Sequence, residues 1–331
     1  MKELIRKFVE AYGPSGNEEQ IRKLIAGEIT PHVDEVRVDA LGNLIAVKRG
    51  KGGKKIMLAA HMDEIGGIIT HIDDKGFLRF ASVGGTNPHI LLAERVVFEN
   101  GTIGVLGREH MDDLKELRHS KMFVDIGASS REEAAEKVSI GDTFGFWRHM
   151  DDLGDFLVAK AMDDRIAAAI LVQAARELKE TIHEVYFVFT VQEEVGLRGA
   201  RTAAYGINPD LGIAVDVCGT GDTPKAYTMD VACGNGAAIK IKDNSLMVHP
   251  KVKELLIGVA KQHNIKYQLE ILEYGGTDAG AIHITREGVP SGCISIPTRY
   301  IHTPSEMVNI HDVRACVDLV VKTLETREIN L

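Results

Sequence analysis

Residues 67 to 157 break the rhythm of an otherwise regular α/β chain, and where they break it constrains the fold more than anything else in the sequence. Ahead of them, Leu4, Ile5, Phe8, Val9 and Tyr12 recur at helical spacing. A hairpin pattern follows from Val36 to Val47 around Gly42-Asn43, and then an apolar strand, Ile56 to Ala60, ends at His61. After them, helix and strand patterns alternate: helix Arg165 to Leu178, strand Val185 to Val191, helix Leu197 to Tyr205, strand Leu211 to Val215, helix Pro250 to His263, strand Cys293 to Ile296 and helix His311 to Glu325. That alternation predicts a mixed, mostly parallel sheet flanked by helices. The stretch between shows short alternating strands (Gly76 to Phe80, Arg95 to Phe98, Thr143 to Phe146) parted by glycine turns, with one helix at Ser130 to Lys137. The Ile56 strand precedes this stretch and its partners follow it, so the stretch is expected as an insertion. The expected division is residues 1–66 and 158–331 for one α/β domain and 67–157 for an inserted β-rich module, and 331 residues suffice for both.

A formal charge of −9 with Lys and Arg interspersed among Asp and Glu provides no basic stripe, which argues against nucleic acid and anionic lipid as partners. The longest apolar run, near Ile166 to Val172, is too short to span a bilayer, and the first residues have no apolar core, so a cytoplasmic protein is expected. Four widely spaced cysteines without a C-x-x-C pair are expected as free thiols. Cys218, two residues past Asp216, is the one able to lie near the chemistry.

Five short segments carry that chemistry: A-H-M-D-E at 60 to 64, A-M-D-D-R at 161 to 165, Q-E-E-V-G at 192 to 196, A-V-D-V at 214 to 217 and Y-I-H-T-P at 300 to 304. His61, Glu193, Glu194, Asp216 and His302 all fall at or just beyond carboxyl ends of expected strands, the edge at which open α/β sheets bind ligands. Alone, His61 would be a hydrogen-bonded core residue, but Asp63, two residues on, can accept from its imidazole and fix the tautomer. Two adjacent carboxylates, Glu193 and Glu194, after an apolar strand are costly unless cations compensate them, and so is Asp216 inside one. One of the two glutamates can hold a metal while its neighbour stays free to take a proton. Alternation along the strand is expected to turn them apart. Asp163 and Asp164 could cap the helix beginning near Arg165; that role is expected for Asp164, with Asp163 bridging. Ser15 and Glu18 form a capping-box pattern. His302, beside Thr-Pro, could be merely exposed, and Arg299 could equally be functional. G-G-T-D-A-G at 275 to 280 could bring backbone or Asp278 near a substrate or simply start a helix. Two His and three carboxylates suit a pair of divalent ions, zinc or cobalt before manganese, in a hydrolase.

In this order, from P-S-G-N-E at 14 to 18 through to I-H-T-P-S-E at 301 to 306, these motifs resemble the glutamyl aminopeptidase family of co-catalytic metallopeptidases, which includes the tetrahedral (TET) aminopeptidases. The resemblance runs through essentially the whole chain. It implies His61 and Asp216 on one metal, Glu194 and His302 on the other, Asp163 between them and Glu193 as general base; Asp63, from its place beside His61, is expected as a catalytic residue with Glu193. It further implies a phosphorylase- and hydrolase-like α/β/α sandwich interrupted by a small β-barrel dimerisation domain, dimers that assemble into dodecamers, and a cis peptide between Asp163 and Asp164. The implied activity is removal of N-terminal residues from peptides with a free N-terminus. Some members carry a cellulase label, but the two-carboxylate mechanism of glycosidases needs no paired metals. Two rivals remain in view: a carboxypeptidase or deacylase built on the same ligands, and a non-catalytic assembly protein with a vestigial site.

Overall fold

Four strands of nearly unbroken apolar sequence, Lys55–His61, Glu184–Thr190, Leu211–Cys218 and Ser291–Arg299, run parallel at the centre of the computed structural model, which describes all 331 residues. Their residues are buried on both faces, which is why the sequence does not alternate there. The expected hairpin, Glu35–Val38 with Leu44–Lys48, adds antiparallel to the Glu184–Thr190 strand and closes one side of the sheet. On the other side, Glu306–Asn309, Phe156–Ala159 and Asp151–Asp152 follow Ser291–Arg299, which also pairs with Ala237–Lys242 and through it with Tyr267–Ile271.

The two faces are separately packed. Ile56, Leu58 and Ala60 point into a core of 59 buried residues shared with the helices Lys2–Val9, Glu19–Ile29, Met162–Glu177, Pro250–Gln262 and Ile310–Glu325. Met57 and Ala59, the alternate positions, face a smaller cluster containing Ala200, Ala203, Ala204 and Ile282 from the helices Arg198–Ile207 and Asp278–Ile282. The result is an α/β/α sandwich. Helix Met162–Glu177 is apolar all round because it is buried all round, with every residue from Ile166 to Val172 inaccessible.

The β-rich stretch closes into a six-stranded antiparallel barrel in the order Gly66–Ile72, Leu78–Val83, Met122–Asp125, Ile103–Arg108, Arg95–Phe98, Thr143–Phe146. It has its own core of 16 buried residues, and closure removes the open edges that short strands would otherwise present. Its first strand begins only five residues after His61, so the barrel is wired directly to the carboxyl edge of the main sheet. The helix in this stretch is Arg131–Ala135, capped by Ser130, whose hydroxyl accepts from the Glu133 amide at 3.2 Å. No helix is long and apolar enough to cross a membrane.

Candidate metal centre

His61 is the last residue of its strand, Asp216 lies within Leu211–Cys218, and Glu193, Glu194 and His302 sit in the turns just past their strands. The Asp163-Asp164 pair heads the Met162–Glu177 helix, joined by a cis peptide bond and in non-helical conformation. All seven are drawn to one edge of the sheet. His61 Nδ1 lies 3.1 Å from the Asp63 carbonyl and 3.4 Å from its carboxylate, which leaves Nε2 directed into the site. The two oxygens of Asp163 face different imidazoles: Oδ1 is 2.9 Å from His61 Nε2 and Oδ2 is 3.4 Å from His302 Nε2. His302 Nε2 is also 3.4 Å from Glu194 Oε2, while Glu193 approaches His61 Nε2 at 3.9 Å. One ligand atom each from His61, Asp163 and Glu194 lie within 4.8 Å of one another, as do one each from His61, Asp164 and Asp216.

Two buried carboxylates hold this geometry by accepting backbone amides. Asp63 accepts from the amides of Glu193 (3.0 Å) and Glu194 (3.2 Å) and from the Ser15 hydroxyl (2.6 Å). Glu306, at the start of Glu306–Asn309, accepts from the amides of Asp163 (2.9 Å) and His302 (2.8 Å), and so ties the head of a helix to a loop whose His302 has a φ of +60°. A non-glycine residue in the left-handed region needs such a restraint. Gly85 gives His302 room: a Cβ there would stand 2.9 Å from its Nδ1, so the barrel segment reaches the centre too. Behind the site, Glu64 accepts from Lys160 (2.6 Å), Arg165 (3.1 Å) and the Gly13 amide (3.0 Å). Arg165 also donates to the carbonyls of Phe8, Gly13 and Met62, all in the interior.

Three expectations fail here for identifiable reasons. Asp164 does not cap its helix: it accepts from the His61 amide at 3.2 Å, and its other oxygen is buried without a partner. Ser15 and Glu18 form no capping box, because Ser15 is spent on Asp63 and Glu18 accepts from the amides of Gly16 and Gln192. Glu193 and Glu194 are not parted by strand alternation, since the strand ends at Thr190 and a turn carries both; Gln192 with φ +54° and the Asp63 clamp direct them instead. Arg299 is held by Asp222 through two nitrogens (2.7 and 3.1 Å), and Asp278 turns inward to Thr190. Sequence reasoning also missed Glu306, whose only signal was its position four residues after His302.

The electrostatics call for positive charge. Burial pushes Asp216 and Asp164 well above the carboxylate range, neighbouring carboxylates adding to it, and does the same to Glu193. Glu194 is raised to about 8 by burial and the adjacent Asp163 charge. Burial opposes protonation of His302, yet Asp163 and Glu194 outweigh it and raise the imidazole to about 10. No Lys or Arg takes part in the ion pairs of this cluster. Imidazole nitrogens, carboxylate oxygens and the orphaned Asp164 oxygen form a donor set suited to divalent cations, so the residues present fit the expected metals. The centre lies on the floor of an open cleft of about 670 Å³.

Known proteins resemble this chain over nearly its whole length. The sequence matches the model of the M42 glutamyl aminopeptidase family over residues 42–319. A protein of Acetivibrio thermocellus is 55% identical over 325 residues, 98% of each chain. The structure of an aminopeptidase from the archaeon Desulfurococcus kamchatkensis superposes with a TM-score of 0.94 at 41% identity, covering 98% of this chain and 94% of that one. That of the Pyrococcus horikoshii TET1 peptidase does so with a TM-score of 0.87 at 34% identity, covering 98% of both. The chain belongs to the M42 glutamyl aminopeptidase family of peptide hydrolases.

Proposed function

We propose that this aminopeptidase is a dinuclear metal enzyme that removes N-terminal residues from peptides with a free N-terminus, with Glu193 as general base. The observation that carries this is Asp163, whose two oxygens face two separate imidazoles, as a carboxylate shared between two ions must. His61 and Asp216 would hold one ion and Glu194 and His302 the other, zinc or cobalt by the donor set. When bound, such a pair lowers the pKa of a water and polarises the scissile carbonyl. Glu193, close to His61 but not engaged with His302, takes the proton of the attacking water and returns it to the leaving amine. Asp63 holds His61 so that Nε2 presents its lone pair, and its acceptance of two amides fixes where the two glutamates point.

The division into residues 1–66 with 158–331 and 67–157 is proposed as catalytic and dimerisation domains. Ile103, Val105 and Ile140 stand exposed in the latter, and the similar TET1 peptidase assembles into a tetrahedron or a large octahedral shell. Dimers joined through the barrel would build a dodecamer. Four free cysteines suit a reducing compartment such as the cytoplasm.

Elemental analysis together with one chromogenic aminoacyl anilide and its N-acetylated form tests the proposal. Two ions per chain with cleavage of the free-amine form alone is the expected result. Hydrolysis of the acetylated form would favour the deacylase or carboxypeptidase alternative, and a metal-free active enzyme would overturn the mechanism.

A further inference from the structure

From the walls of the cleft we infer that the enzyme selects uncharged, chiefly aliphatic N-terminal residues and disfavours both acidic and basic ones; this rests on the aminopeptidase function proposed above. Every charged side chain lining the cleft belongs to the metal centre. Away from the centre the walls are Leu197, Val217, Leu272, Tyr274 and Ile301, with the amide of Asn244 and the hydroxyl of Ser245. Tyr274 is 74% exposed, an aromatic ring left bare at the mouth.

Two loops make the outer wall, one carrying Asn244 and Ser245 and the other Leu272 to Gly276. They are laced together by the Asn244 amide donating to the Gly275 carbonyl (3.1 Å) and the Leu272 amide to the Lys242 carbonyl (2.9 Å). Ser245 packs so closely on the second loop that a Cβ on Gly276 would stand 2.8 Å from its Oγ, and Gly275 has a φ of +84°. These glycines let the G-G-T-D-A-G segment serve as backbone wall, while its Asp278 points away from the cleft.

Four charged groups near the walls are already engaged. Asp243 Oδ1 accepts from the amides of Ser245 and Leu246, Lys240 is buried against Glu270, Arg299 is paired with Asp222, and Asp278 with Thr190. Outside the metal centre, no residue lining the cleft carries a charge that could neutralise a carboxylate or an ammonium on the substrate's first side chain. The acids on the floor would be taken up by the metals or, in Glu193, by the proton transfer proposed above. A charged residue would therefore lose its hydration against an apolar wall without a counter-ion.

The test is kcat/KM of the zinc- or cobalt-loaded enzyme on p-nitroanilides of Leu, Met, Ala, Glu and Lys. Leu and Met are expected to exceed Glu and Lys by roughly tenfold or more, the scale at which apolar pockets discriminate. A second arm uses Tyr274→Lys, a mostly exposed position that tolerates substitution; the new cation should raise the Glu-to-Leu ratio by about tenfold. Equal or higher kcat/KM for Glu or Lys in the native enzyme overturns the inference, and an unchanged ratio in Tyr274→Lys overturns the assignment of that wall. Loss of turnover on all five substrates would instead overturn the aminopeptidase function and this inference with it.

Discussion

Replacing Glu306 by Gln isolates how much of the metal centre is held by hydrogen bonds to the backbone. The carboxylate contributes one oxygen to the Asp163 amide at 2.9 Å and the other to the His302 amide at 2.8 Å. Glutamine has the same size but one acceptor oxygen, so either Asp163 or His302 loses its acceptor and meets an NH2 group instead. A hydrogen bond to a charged acceptor is worth about 1.5–3 kcal/mol, which converts to roughly 10- to 150-fold in an equilibrium constant. Outer-shell partners of metal ligands commonly shift metal affinity by about 10- to 100-fold, the same range by an independent route. The cost should fall on ion binding because the residues released, Asp163 and His302, face each other across the centre. Competition with a chromophoric chelator measures it directly for zinc or cobalt: the variant should show weakened affinity for at least one ion, with activity recovering in excess metal. Native affinities for both ions in a folded variant would refute the argument, since Glu306 would then be holding nothing the metals need.

Asp163→Ala should lose both ions together, and elemental analysis that still found two per chain would contradict the bridging role. Glu193→Gln should keep both metals while kcat falls by about 10²- to 10⁴-fold, whereas Glu194→Gln should weaken one ion and respond to added metal; the opposite pattern would exchange their roles. Arg165→Met removes a buried guanidinium that donates to Glu64 and to the carbonyls of Phe8, Ala11, Gly13 and Met62, and denaturant unfolding should register a loss of about 3–5 kcal/mol, with a loss under 1 kcal/mol counting against a structural role for the ion cluster. Exchanging residues 67 to 157 for a short Gly/Ser linker should yield a smaller folded particle, and light scattering showing an unchanged assembly would remove the barrel from the interface.

The large features of the fold were legible because they depend on period and placement. Unbroken apolar runs marked the central parallel strands, and the change to short glycine-parted strands marked the barrel. The candidate ligands were legible for an energetic reason: charge inside or just beyond an apolar strand, as at Asp216 and Glu193-Glu194, demands a compensating partner wherever the strand lies. Boundaries were less secure where side chains have competing uses. Ser15 and Glu18 have the spacing of a helix cap, but Ser15 is oriented to donate its hydroxyl to the Asp63 carboxylate and accepts no helix amide.

What the sequence could not display is the use of carboxylates as acceptors for distant backbone amides. Glu193 and Glu194 are identical residues in adjacent positions, and no pattern in the chain says which of them reaches His302. The distinction is made by Asp63, about 130 residues earlier, which accepts both of their amides and so sets the direction in which each side chain leaves the turn. Glu306, at the start of the strand beside Ser291–Arg299, does the same for Asp163 and His302. Each such carboxylate spends its charge on main-chain dipoles, which every residue possesses, so its partners cannot be read from residue types. The four groups thus fixed are Asp163, Glu193, Glu194 and His302, and only His61 and Asp216 are placed by the strands that carry them. The centre is therefore one third strand and two thirds clamp: the strands place His61 and Asp216, and two acids outside the proposed ligand set position the other four groups.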